Sequence, residues 1–192
     1  CGETVEKMNM SQRLTLANMA VEAGAKVGLI AADKVTFKYL KEMGRPQKYR
    51  EIKPDSDATY EKTIEIDVSK LEPQIAFPHT VDNIRPLSQA KGVKIKQVFL
   101  GTCTNARLED LKIFYGIVKG KKKHPNTIVI VTPASRKVYL DAMKLGYLQA
   151  FMEFGAEILP SGCGPCVGVH GGVGADGDNI LSTMNRNFKG RM

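Results

Sequence analysis

The sequence predicts an α/β protein, a three-layer α/β/α arrangement around a mostly parallel sheet. Three observations lead there. From residue 93 onward strand-like and helix-like stretches alternate along the chain. The strands in that region, such as Ile128–Val131, are continuous apolar and β-branched runs, which suit strands covered on both faces. The 192 residues are 43% hydrophobic, 25% charged and 7% aromatic, values that exclude collagen-like, coiled-coil and disordered chains. A chain of this length buries roughly 70% of its unfolded surface and needs no disulfide staples.

The opening residues, up to about Lys26, read as a helix. Ser11 is its expected N-cap, Leu14, Ala17 and Val21 recur at helical spacing, and Gly24 stands near the stop. Asp33 is expected to cap a second helix running to Met43, which Gly44 and Pro46 end. A charged, proline-bearing surface excursion follows from Arg45 to Tyr60. Ile64–Val68 alternates as a strand does, and Pro73–Pro86 reads as irregular. Beyond it come a strand over Val93–Gly101, a helix from about Leu108 to Val118, and a strand over Thr127–Thr132. Ser135 caps the next helix, which ends near Gly146. A helix over Tyr147–Phe154, a brief strand at Glu157–Leu159, glycine-rich chain to Gly177 and a strand at Ile180–Met184 complete the order. The expected organisation is a single domain over 1–192 with an irregular excursion over 45–90. Cys1 in place of Met suggests a piece of a longer chain.

No apolar run is long enough to cross a bilayer, and no charged-then-apolar leader opens the sequence, so a cytoplasmic protein is expected. The net charge of +8 admits an anionic partner. The basic run Lys119–His124 has no interleaved aromatics, which favours a solvated loop over a nucleic-acid site. Four cysteines are too few and too unevenly spaced for a secreted disulfide scaffold.

Open parallel sheets bind ligands outside the carboxyl ends of their strands. Three segments fall at such ends: Gly101-Thr-Cys-Thr-Asn105, Gly162-Cys-Gly-Pro-Cys166 and Asn185-Arg-Asn-Phe-Lys-Gly-Arg191. If their strands are neighbours, Cys103, Cys163 and Cys166 share a crevice with two arginines. Three such thiolates admit an iron–sulfur cluster with one open iron, a closed zinc site with His170 as fourth ligand, or a redox dithiol. The dithiol is disfavoured, because the glycines after Cys166 do not build the helix that lowers such a thiol's pKa, and Cys103 is left over.

Those three segments, in that order, resemble the signature segments of the aconitase superfamily, and Arg13-Leu-Thr-Leu-Ala-Asn-Met-Ala-Val-Glu-Ala-Gly-Ala25 resembles a fourth. The resemblance covers nearly the whole chain. It is nearer to the large-subunit branch of isopropylmalate dehydratases and archaeal-type homoaconitases. It implies a [4Fe–4S] cluster on Cys103, Cys163 and Cys166, with Asn185, Arg186 and Arg191 holding substrate carboxylates. It also implies Asn18 and Glu22 at the iron site, and their four-residue spacing puts them on one face of a continuous helix. The implied activity is dehydration and rehydration of a hydroxy di- or tricarboxylic acid in amino-acid or coenzyme biosynthesis. The implied partner is a small swivel subunit carrying the general base. A segment before the Asn18 helix that the family uses is absent here, so the chain by itself is expected to be inactive.

Blander roles compete for several residues. Asn105, a candidate substrate contact, can instead cap the helix after Cys103. Asn18 and Glu22 can form a solvated face, and Asn185 and Arg186 a turn. Ser135 reads as a cap, not a nucleophile. His79, His124 and His170 read as surface or structural groups. An aconitase-like RNA-binding protein is the competing function class.

Overall fold

The computed structural model describes residues 1–169 and 171–192. Its contacts divide the chain into two compact units, Cys1–Glu72 and Pro73–Met192.

In the first unit, α1 (Glu3–Lys7) and α2 (Met10–Asn18) are followed by a 3-10 turn over Met19–Ala23 and by α3 (Lys34–Glu42). Asn9, not Ser11, caps α2. Its side chain accepts from the Gln12 amide at 3.0 Å while Gln12 accepts from the Asn9 amide at 2.9 Å. That reciprocal box satisfies two end donors at once, and Ser11 falls inside the helix. The expected single helix to Lys26 stops at Asn18, and Gly24 closes the 3-10 turn with φ 81. Asp33 caps α3 as expected, accepting from Val35 and Thr36 at 2.9 and 3.3 Å.

The same carboxylate organises the unit. Arg13, 3% exposed, meets Asp33 with both terminal guanidinium nitrogens at 2.7 and 2.9 Å, and donates further to the carbonyls of Met8 and Glu6. Residues 50–72 carry no helix or strand and are exposed throughout. The alternation Ile64, Ile66, Val68 therefore does not form the expected strand. Among the described residues its backbone finds no pairing partner, and Ile64 and Ile66 are 70% and 74% exposed.

The second unit opens with an antiparallel hairpin where irregular chain was expected, β1 (Gln74–Ala76) against β2 (Ile84–Pro86). Then follow β3 (Gln97–Leu100), α4 (Leu108–Val118), β4 (Ile128–Val131), α5 (Arg136–Lys144), α6 (Tyr147–Phe154), β5 (Glu157–Ile158) and β6 (Ile180–Ser182). The last four strands form one parallel sheet in the order β5-β4-β3-β6. The α/β class and the parallel sheet are as the sequence predicts.

Alternation sorts the strand side chains onto two faces. Leu100, Val129 and Val131 pack with Leu111 and Val118 of α4, Ala142 of α5, and Leu148 and Phe151 of α6. Burying each such large side chain contributes about 1.5–3 kcal/mol. Phe99 and Ile130 point to the opposite face. Within this unit the glycine-rich return between β5 and β6 lies against that face: a Cβ on Gly172 would stand 2.3 Å from Ile130 Cδ1, and the Gln97 side chain donates to Gly172 O at 2.6 Å. Ser135 caps α5 by accepting from the Val138 amide at 3.3 Å. Urea unfolding of Ser135→Ala is expected to show a loss of about 1 kcal/mol, the usual value of such a cap.

Candidate functional site

From β3 the chain steps outward through β4 to β5, then returns to place β6 on the other side of β3. The β3–β6 pair is thus the point where strand order reverses, and an open sheet presents its crevice there. The loops leaving these two strands are joined by side chains. Thr183 Oγ1 accepts from the Gly101 amide at 3.1 Å and lies 3.2 Å from the carbonyls of Gly101 and Asn105. Asn105 Nδ2 donates to Thr183 O at 2.5 Å and to Asn185 Oδ1, and Asn185 Nδ2 donates to Thr104 Oγ1 at 3.3 Å. Asn105 therefore bridges loops; the cap position of α4 belongs to Arg107.

Thr102, one residue before Cys103, has φ 90, a strained value for a β-branched residue. Its side chain is buried and its hydroxyl accepts from the Asn105 amide at 3.2 Å. This tight turn leaves Cys103 exposed at its tip.

Cys163 precedes and Cys166 lies within a 3-10 turn over Gly164–Val167, which Gly168 ends with φ 71. Among the described residues the chain after Cys163 forms a 3-10 turn and not the α-helix that activates a redox dithiol. Although this turn leaves β5, at the edge of the sheet, it comes back over the inner strands. A Cβ on Gly164 would lie 2.6 Å from Thr132 Oγ1, just past β4, and 3.2 Å from the ring of Phe99 on β3. The same ring lies under Gly101, where a Cβ would sit 1.9 Å from Phe99 Cζ. One fully buried phenyl ring is thus the floor beneath both cysteine segments. The third segment closes on the same place: Gly168 abuts the carbonyl of Arg191, and Arg191 Nη2 is 3.9 Å from Cys166 Sγ.

Asn185, Arg186 and Arg191 also line a cavity of about 400 Å³, together with His79, Ser182 and Phe188. Asn187 Nδ2 donates to Phe77 O at 2.7 Å, which ties the β1–β2 connection to this loop. His79 belongs to the cavity wall although its sequence context reads as a surface group. The signal that could reveal it is its backbone bridge to Phe188, a pairing 109 residues away that no local pattern encodes.

The donor chemistry suits an iron–sulfur cluster. All four cysteines are free thiols, and Cys166 stands beside Arg191. Among the described residues, buried hydroxyls of Thr132 and Ser161 and Nε of Arg191 have no hydrogen-bond partner at this end of the sheet. Among the described residues no three His, Cys, Asp or Glu side chains gather around a point where one metal ion would sit. A cubane spreads three thiolates over three irons, so it does not require that gathering, whereas a single zinc ion does. His170, the fourth ligand of the zinc alternative, lies outside the described residues.

A sequence profile of the aconitase family (aconitate hydratase) matches residues 1–92 and 84–192, which together span the chain. The chain belongs to the aconitase family. Aconitase-family hydro-lyases use an iron–sulfur cluster. Among curated relatives, the 3-isopropylmalate dehydratase large subunit 1 of Thermotoga maritima is 55% identical over all of this chain and 46% of its own length. The large subunit of the same name from Elusimicrobium minutum is 53% identical, again over 100% of this chain and 46% of its own length. The methanogen homoaconitase large subunit of Methanocaldococcus jannaschii is 47% identical over 100% and 47%. The chain therefore spans about half the length of the relatives it matches.

In this aconitase-family chain the fourth motif divides between two kinds of structure. Asn18 is the last residue of α2 and Glu22 lies in the 3-10 turn, both half-buried. At three residues per turn a four-residue step rotates by about 120°, not the 40° of an α-helix, so the one-face argument for this pair does not hold. Only the family resemblance implies a functional part for them. The basic run is partly engaged within its own unit: Lys122 donates to Glu153 O at 2.6 Å, Lys123 to Thr127 O at 2.9 Å, and Lys119 sits over the Tyr115 ring. Among the described residues no helix is long and apolar enough to cross a membrane.

Proposed function

We propose that this chain is the cluster-bearing part of a dehydratase large subunit of the isopropylmalate dehydratase and homoaconitase branch. The reaction is the transfer of a hydroxyl between adjacent carbons of a hydroxy di- or tricarboxylic acid, by dehydration and rehydration. The observation that carries the reading is the convergence of three cysteine-bearing and arginine-bearing loops on Phe99 and the β3–β6 switch point. The names of the relatives, dehydratase and homoaconitase large subunits, support the reaction class.

Cys103, Cys163 and Cys166 would hold the [4Fe–4S] cluster, which supplies a Lewis acid that polarises a bound hydroxyl or carboxylate. Arg186 and Arg191 present guanidinium forks that take carboxylates through paired hydrogen bonds, fixing the substrate's orientation. Asn185 and Asn105 hold the two loops in register and offer amide groups to the same crevice. Asn18 and Glu22 complete the site in this proposal, Glu22 as a carboxylate that holds or takes a proton. A small swivel subunit supplies the general base; the words large subunit in the relatives' names support such a partner. Free thiols suit the reducing cytoplasm.

Anaerobic reconstitution with iron and sulfide tests the cluster. The expected result is a broad visible absorbance and about four irons per chain. Cys103→Ser is expected to lose that absorbance, and uptake equal to that of the unmodified chain would overturn the ligand assignment. The chain alone is expected to show no hydration of a cis-unsaturated acid; measurable turnover would show that neither the rest of the large subunit nor the small subunit is needed.

A further inference from the structure

We infer that Thr183 is a positioning residue, the bolt that sets the Cys103 loop against the Asn185–Arg191 loop. The family motifs assign it no part, and at the sequence level it is one more hydroxyl beyond a strand. In the structure its Oγ1 stands at the mouth of the β3 turn, within 3.1–3.2 Å of three backbone groups of the cysteine segment. It accepts from the Gly101 amide, and its single proton serves the carbonyl of Gly101 or of Asn105. Its own carbonyl accepts from Asn105 Nδ2, and its amide donates to Phe99 O at 3.1 Å. One residue therefore touches the strand beneath Cys103, the residue two beyond it, and the loop that carries Asn185 and Arg186.

The geometry gives the hydroxyl a task that shape alone cannot perform. Thr102 holds a strained φ of 90, and strained turns persist only where neighbours over-determine them. The Thr102 hydroxyl fixes the turn from inside, through the Asn105 amide. Thr183 fixes it from outside, at both ends of Gly101–Asn105. Valine at 183 keeps the size and loses every side-chain hydrogen bond; serine keeps the hydroxyl and loses the methyl.

As regards the cluster, this inference rests on the function proposed above, so its test has two readouts. The first is amide exchange in the chain as it stands, without iron. Thr183→Val is expected to speed exchange across Gly101–Asn105 by about tenfold, the scale of one lost hydrogen bond. Exchange in β4 should stay unchanged, and Thr183→Ser should resemble the unmodified chain. Unchanged exchange in Thr183→Val, or a rise spread evenly over the sheet, would overturn the positioning role. The second readout is the lifetime of the visible absorbance in air after reconstitution. It is expected to shorten several-fold in Thr183→Val and to recover in Thr183→Ser. Equal lifetimes alongside faster exchange would overturn its role toward the cluster. If the unmodified chain takes up no iron, the proposed function fails, and the exchange measurement still decides the part Thr183 plays in the loop.

Discussion

Gly101→Ala is expected to be among the most damaging single-methyl changes in the Pro73–Met192 unit. The added Cβ would sit 1.9 and 2.1 Å from two ring carbons of Phe99, and the ring is fully buried, with Gly164 also against it. Neither partner has room to yield. Overpacking of this kind costs about 1–3 kcal/mol, and urea unfolding of the unit should show a loss toward the upper end of that range. The constraint at Gly101 is steric: what the position forbids is the side chain, not the backbone conformation. The variant should also lose much of its capacity to reconstitute a cluster, since Cys103 is two residues away on the same turn. Phe99→Leu, introduced alongside, is expected to recover part of both losses, because it removes the ring carbons the new methyl would strike. A double variant no better than the single would show that the ring is not the obstacle.

Asp33→Ala is expected to cost the Cys1–Glu72 unit about 3 kcal/mol. Arg13 is nearly enclosed, and removing its partner leaves a buried guanidinium with only the Met8 and Glu6 carbonyls. Breaking a fully buried pair costs about 3–5 kcal/mol; the Asp33 end is 36% exposed, which lowers the value, and the lost α3 cap restores about 1 kcal/mol to it. Asp33→Asn keeps a cap acceptor and loses the charge, so it should fall between the two. The pH dependence has a definite sign. The Arg13 hydrogen bonds hold the Asp33 carboxyl below its ordinary value of 3.8, outweighing burial, which acts the other way, with the Thr36 and Val35 amides assisting. A depressed folded-state pKa means stability that is fully present above the ordinary carboxylate value and is lost as pH falls below it. The difference between the unmodified chain and Asp33→Asn should therefore be constant from neutral pH to about pH 5 and shrink below about pH 4. A difference that stays flat into strong acid would remove the charge from the account.

Local chemistry carried far in this sequence. Asp33 and Ser135 cap helices, Tyr147–Phe154 is a helix, and the β-branched run at 128–131 is a buried strand, because each depends on neighbours within a few residues. Where expectation and structure part, a distant partner decides. Ile64–Val68 has strand chemistry and, among the described residues, no strand beside it. Gln74–Ala76 and Ile84–Pro86 have unremarkable sequences and pair because the chain brings them together. Asn9 displaces Ser11 because the Asn9–Gln12 box satisfies two donors where a lone serine satisfies one.

The sequence by itself determined the α/β class, the parallel strands, the family and the three cysteines at strand ends, since these follow from composition, period and motif spacing. The tertiary structure decided how the segments that carry them come to one buried ring. By sequence order the Cys163–Cys166 turn belongs to β5, an edge strand two places from β3, and a simple reading of strand ends would hold it away from Cys103. It reaches the inner strands because Gly164 can lie on Thr132 and the Phe99 ring, and because Gly101 adds no side chain over that ring. A glycine is legible in sequence; which ring it clears depends on strand order, and strand order is set by packing across the whole unit.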